Sequence, residues 1–240
     1  MKGIGMKNFS GISVAAALLA VATLAGCPQP VADKHSQEFA AGDAATSLAG
    51  KQLYYMPDGR ISFYSRTVQD QATLPTATTG HTVVDFAVAG SNVVTLPAGS
   101  EVMYYGVAYD SMVIGSDGTI AFGGAGTGNA SVTAHFSSNQ VSVLPVDATG
   151  SGQVSYQVAA NAVTVTYEGV DGSTAQSEFF ISGDMDQDIA ISYPTVSANA
   201  AGVVGLSRGQ LAGANASELA DFLAEFGNGS NLGTSNTGAL

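Results

Sequence analysis

Between Gln52 and Leu206 the chain repeats one pattern: a short run rich in Val, Thr, Ile and Tyr, then a cluster of Gly, Asn, Asp or Ser, recurring about every ten residues. The strand-like runs are Gln52–Met56, Arg60–Arg66, Thr82–Val88, Val93–Leu96, Glu101–Tyr109, Ser111–Gly115, Thr119–Phe122, Ala130–Phe136, Gln140–Leu144, Gln153–Ala159, Ala162–Glu168, Gln176–Ser182, Ile189–Tyr193 and Ala201–Leu206. No helical period separates them, which sets aside a parallel α/β fold and leaves a sandwich or barrel. An antiparallel β-sandwich is expected, fed by turns such as Pro57-Asp58-Gly59, Ala89-Gly90-Ser91-Asn92 and Asp117-Gly118. In Ala162–Glu168, Val163, Val165 and Tyr167 alternate with Thr164, Thr166 and Glu168, the pattern of one buried and one wet face. The pairs Tyr54-Tyr55 and Tyr104-Tyr105 should likewise place one ring on each face.

One short C-terminal helix is expected at about 216–226. Asn215 and Glu218 form a capping-box pattern, Leu219, Phe222, Leu223 and Phe226 share a face, and Gly227 supplies the stop. Apolar residues make up 45% of the chain and charged ones 11%, enough for a core in one sizeable all-β domain spanning 51–227. Residues 27–50 are polar and Ala/Gly-rich without a strand period and read as a flexible tether, and 228–240, rich in Gly, Ser, Asn and Thr, as a disordered tail.

Residues 1–26 have the layout of a secretory signal: Lys2 and Lys7, then the uncharged run ISVAAALLAVATLA from Ile12 to Ala25. Its fourteen residues fall short of the ~20 that a spanning helix needs. The run ends in Leu24-Ala25-Gly26-Cys27, which resembles the lipobox of bacterial lipoproteins. That resemblance implies a diacylglyceryl group on the Cys27 thiol, cleavage before Cys27, acylation of the new amine and a lipid anchor in a membrane. Pro28, in place of an Asp that retains some lipoproteins in the inner membrane, points to the outer membrane or cell surface.

Cys27 is the single cysteine, so the exported domain has no disulfide and no thiol for catalysis or zinc. Cleavage would leave five basic residues, Lys34, Lys51, Arg60, Arg66 and Arg208, against nineteen acidic ones, a net charge near −14. Such a surface repels phosphate backbones, so no nucleic-acid partner is expected.

From about Glu101 to Gly209 the segments YYGVAYDSMVIGSDGTIAFGG, SGQVSYQV, NAVTVTYEGV, SEFFISGDMDQDIAISY and AGVVGLSRG resemble nidogen-like extracellular β-sandwich modules of bacterial surface proteins. The match covers a little under half of the chain and carries no active-site signature. It departs from the pattern at Phe136, followed by Ser137 and Ser138 where such modules often carry two acids, so a cation-binding role there does not transfer. The resemblance implies an adhesive or structural domain.

Three other motifs bear on chemistry. Gly205-Leu206-Ser207-Arg208-Gly209 matches the G-x-S-x-G elbow of α/β hydrolases, but His35, His81 and His135 all precede Ser207, and the all-β context favours a strand-end turn. Asp184, Asp186 and Asp188 alternate like the first calcium ligands of an EF-hand, yet Ile189 and Thr195 stand where that loop needs Gly and Glu. A hairpin turn is the plain reading and a weak surface calcium site the alternative. Gly123–Gly128, GGAGTG, lacks the last glycine of a dinucleotide loop and reads as a flexible loop.

The expectation is therefore a lipid-anchored, non-catalytic cell-envelope protein with a structural, adhesive or protein-interaction role and no cofactor. Its partners would be the membrane through Cys27 and an envelope protein or polysaccharide. The alternatives are a carbohydrate-binding module, which without Trp would need a groove of exposed Tyr or Phe rings, and a hydrolase using Ser207.

Overall fold

A computed structural model describes residues 35–57, 64–84, 90–126, 128–145, 151–181, 187–209 and 231–232. All of them belong to one compact unit, Ala32–Leu240; the other unit, Met1–Val31, lies outside the described residues. In chain order the elements are β1 (His35–Phe39), α1 (Asp43–Leu48), β2 (Lys51–Pro57), β3 (Tyr64–Asp70), β4 (Thr82–Val83), β5 (Ser91–Thr95), β6 (Val102–Tyr104), β7 (Val107–Tyr109), β8 (Ser111–Gly115), β9 (Thr119–Ala121), α2 (Val132–Phe136), β10 (Asn139–Ser142), β11 (Gln153–Val158), β12 (Ala162–Val170), β13 (Ser173–Phe180), β14 (Ile189–Thr195), β15 (Gly202–Arg208) and β16 (Asn231–Leu232).

The first sheet has the order β16-β1-β15-β10-β9-β8-β5, the second β3-β2-β14-β13-β12-β11-β4, and β6-β7 forms a separate ribbon. Every pairing is antiparallel. The fold is an antiparallel β-sandwich. Met112, Ile114, Ile120, Val141, Val204 and Leu206 of the first sheet share one core with Leu53, Tyr55, Val163, Val165, Tyr167, Phe179 and Ile191 of the second. Two contacts tie the layers directly. Phe122 and Phe179 meet edge to face with centroids 5.5 Å apart, and the Tyr167 hydroxyl reaches the Gly115 and Thr119 carbonyls at 3.2 and 3.0 Å.

Five differences separate the structure from the sequence expectations. The expected tether 27–50 is structured from His35: β1 pairs with β15 and β16, and α1 buries Ala44 and Leu48. Its apolar residues are too sparse to show a period, and the tertiary partner supplies the order. Asn231–Leu232, placed in the disordered tail, pairs with β1. The strand expected over Ala130–Phe136 is helix α2, because Ser131 caps it by accepting from the Ala134 amide at 3.2 Å and the turn buries His135 and Phe136 completely. The β-branched Val132 and Thr133 suggested a strand, and packing overrode that propensity.

The single strand expected over Glu101–Tyr109 is instead the β6-β7 hairpin, turned at Tyr105 and Gly106 with φ of 48° and 74°. Tyr105 holds this left-handed geometry between the edges of Tyr104 and Tyr64, centroids 4.8 and 5.2 Å away, with the Arg208 guanidinium 5.7 Å from its ring. Both Tyr104 and Tyr105 are consequently buried, whereas Tyr54 and Tyr55 do divide between the faces.

The presumed wet face of β12 is covered. Gln69, Gln52, Ser192, Gln176, Thr166 and Ser155 stand in one transverse row across β3, β2, β14, β13, β12 and β11. The segment 71–81 lies over this row. The Gln176 side-chain amide accepts from the Thr76 N–H at 2.8 Å and donates to the Thr76 carbonyl at 2.8 Å, as a neighbouring strand would. Thr164 and Thr166 are thereby buried and Glu168 alone of the three stays exposed. The expected C-terminal helix at 216–226 lies outside the described residues.

Candidate functional site

On the outer face of the first sheet, Ser36, Gly205, Ser142 and Thr119 occupy one row across β1, β15, β10 and β9. One row further along, Ser207, Gln140, Ala121, Val113 and Val93 cross β15, β10, β9, β8 and β5. Helix α2 covers the β1-β15-β10 half of this face, and the loop after β9 leaves a cleft over the β9-β8-β5 half.

Under α2, the His135 ring spans the two serines that flank Gly205. Nε2 lies 2.6 Å from Ser36 Oγ and 3.3 Å from the Leu206 carbonyl, and Nδ1 lies 2.7 Å from Ser142 Oγ. Ser36 Oγ donates to the Leu206 carbonyl at 2.7 Å, which assigns it as acceptor from Nε2–H and leaves Nδ1 to accept from Ser142. One neutral tautomer satisfies every group. Burial penalises the imidazolium and pulls His135 down to about 3, against the opposing pull of the Leu206 carbonyl. The network continues through Gln140, whose Nε2 donates to the Gly128 carbonyl at 2.6 Å and whose Oε1 accepts from Ser138 Oγ at 2.6 Å.

The cleft has a volume of about 290 Å³ and is lined by Ser91, Val113, Gly115, Asp117, Thr119 and Gly126 among others. Asp117 Oδ1 accepts from the Thr119 N–H at 3.2 Å and Oγ1 at 2.6 Å, fixing its carboxylate in the β8-β9 turn. A Cβ on Gly115 would collide with Asp117 Oδ1 and Thr119 Oγ1, so only glycine lets that carboxylate fold back over the strand. A Cβ on Gly126 would come within 3.0 Å of Thr119 Oγ1 and 3.3 Å of Gln140 Oε1, which places Gly126 tight against the sheet.

Each residue singled out in the sequence has a definite place or none. Ser207 is fully buried; its Oγ donates to the Ser138 carbonyl at 2.9 Å and accepts from the Gly209 N–H at 3.1 Å, a strand-end turn. The ring nitrogens of His135 engage Ser36 and Ser142 instead. His81 Nδ1 lies 3.4 Å from Ser155 Oγ on the opposite sheet, its proton affinity lowered by burial. Asp188 Oδ2 accepts from the Tyr54 hydroxyl at 2.6 Å, and burial followed by this carboxylate pushes Tyr54 up to about 12. Asp184, Asp186 and Cys27 lie outside the described residues, as does the side chain of His35. Among the described residues no three metal-ligating side chains converge, and no helix is long and apolar enough to cross a membrane.

Comparison with protein-family models, curated proteins and solved structures finds no significant match. The site therefore rests on its own geometry. Sequence reasoning missed both halves of it. Ser36 lies 99 residues from His135 in the chain, nothing marked Ser142, seven residues past His135, as its partner, and Asp117 was visible only as a turn residue. The available signal was the run Gly115-Ser116-Asp117-Gly118-Thr119 beside a glycine-rich loop.

Proposed function

We propose that the chain is a bacterial lipoprotein whose β-sandwich serves as a non-catalytic structural, adhesive or protein-interaction module at the outer membrane or cell surface. The observation that carries this reading is Leu24-Ala25-Gly26-Cys27 at the end of a charged-then-apolar leader, with Cys27 the only acceptor for a thioether. His35, the first described strand residue, follows Cys27 by eight positions. At ~3.3–3.6 Å per residue, an anchor on Cys27 would hold β1 within about 30 Å of the acyl chains. The hydroxyl of Ser207 and both ring nitrogens of His135 already have partners inside the fold, which favours a non-catalytic role over a hydrolase. The likeness to nidogen-like surface modules supports the same class.

The test is Cys27→Ser, followed by metabolic labelling with an alkynyl fatty acid and fractionation of the envelope. Label on the wild type that vanishes in the mutant, together with loss from the membrane fraction, is the expected result. Label that persists on the mutant overturns the anchor. A second reading, a carbohydrate-binding module, is favoured by the polar cleft over Gly115 more than by aromatic rings, because Tyr104 and Tyr105 are buried.

A further inference from the structure

We infer that the cleft between the start of β5, the β8-β9 turn and the glycine loop binds a neutral hydroxyl-rich ring, a single sugar unit, with Asp117 as its principal hydrogen-bond acceptor. The inference rests on the second reading above and is independent of whether Cys27 is acylated.

Size, shape and polarity carry it. The volume of about 290 Å³ is at the small end of ligand sites, room for one ring and not for an extended segment. Its walls offer the exposed Ser91 and the half-buried Asp117, above a floor in which Ser116 and Thr119 are buried, with Val113 and Ala125 as small apolar surfaces. Hydroxyls of a ring meet the former, and its C–H faces meet the latter. The carboxylate is held before any ligand arrives, by Thr119 N–H and Oγ1, and a charge-assisted bond from a hydroxyl to such an acceptor is about twice as strong as a neutral one. The floor is rigid as well: the Tyr167 hydroxyl engages the Gly115 and Thr119 carbonyls from the core side. A pre-organised acceptor on a fixed floor lowers the ordering cost of binding.

Charge and donor set select among ligand classes. A chain with formal net charge −12 and no basic residue among those lining the cleft disfavours phosphates and carboxylates. One carboxylate is a poor cage for a divalent cation, which takes six to eight oxygen ligands when it is calcium. A flat aromatic ligand would want aromatic or large aliphatic walls, and Val113 is the largest apolar side chain among the residues lining the cleft. A neutral sugar ring satisfies all three constraints.

The experiment is a titration of the ¹⁵N-labelled full chain, purified in an amine-oxide detergent that lacks a sugar headgroup, with D-glucose, D-galactose, N-acetyl-D-glucosamine and their short β-linked oligomers. Saturable amide shifts confined to Ser91, Gly115, Asp117 and Gly126 with at least one sugar are expected. Asp117→Asn keeps an oxygen for Thr119 and should weaken that binding about tenfold. Ser91→Leu, an exposed position on the edge strand, should abolish it by filling the cleft. A cleft that holds one ring should bind the monomer as well as its oligomer; binding by the oligomers alone overturns the single-unit inference. Absence of saturable shifts with every sugar overturns it. So do shifts that glycerol reproduces in full at equal concentration, or shifts that survive in Ser91→Leu. Loss of sugar binding alongside intact Cys27 labelling would reject the cleft and leave the anchored module standing.

Discussion

The Tyr167 hydroxyl, carried on β12 of the second sheet, lies 3.0 Å from the Thr119 carbonyl on β9 of the first. It sits in the completely buried core, and its ionisation is pushed well above the ordinary tyrosine range by burial first and the nearby Asp117 charge second. The bond therefore joins the two layers directly beneath the cleft. Tyr167→Phe keeps the ring and deprives the Gly115 and Thr119 carbonyls of this donor, which should cost about 1–2 kcal/mol. Thermal unfolding should register a fall of about 2–4 °C per kcal/mol for a chain of this size. An unchanged melting temperature would show that the interlayer bond contributes nothing.

His135 makes stability depend on pH. Its folded proton affinity, about 3, lies below its ordinary value of 6.5, because burial excludes the charged ring. The unfolded chain therefore takes up a proton that the folded chain refuses, and this histidine's contribution is fully present above about pH 6.5 and lost as pH falls toward 3. The slope approaches ~1.4 kcal/mol per pH unit inside that window. Urea unfolding at pH 7 and pH 5 should show the loss in the wild type. His135→Gln should be less stable at pH 7 and lose distinctly less between the two; an equal loss in both would place the pH dependence elsewhere.

Ser207→Ala should leave the sandwich intact. It removes one donor to the Ser138 carbonyl and one acceptor for the Gly209 amide, at a cost of about 1–2 kcal/mol. Exposed to a fluorophosphonate probe, neither wild type nor mutant should be labelled. Stoichiometric labelling of the wild type, absent in the mutant, would restore the hydrolase reading.

Asp188 is held by the Tyr54 hydroxyl. If Asp184, Asp186 and Asp188 formed a calcium site, a ligand bound only by the native state would raise the melting temperature by mass action. Unchanged melting curves with millimolar calcium or chelator are expected. A calcium-dependent rise that disappears in Asp186→Asn would establish the site.

The sequence by itself determined the class of fold. Turn residues recurring about every ten positions and the alternation of Val163, Val165 and Tyr167 with polar neighbours are local properties, written in composition and spacing. What covers each sheet is not local. Thr166 was legible as facing away from the core but not as buried, because its cover, the segment around Thr76, is placed by Gln176 from another strand. His135 sat in a run that favours strand, and became a helix residue because Ser131 caps the turn and Ser36 and Ser142, brought together by pairing on either side of Gly205, receive its ring. Asp117 was predictable as a turn residue. Its place in a cleft depends on Gly115 beneath it and the glycine loop beside it. Pattern decides which face of a strand turns inward because that preference repeats along the strand; what lies against the outer face depends on long-range contacts between residues that carry no mark of one another.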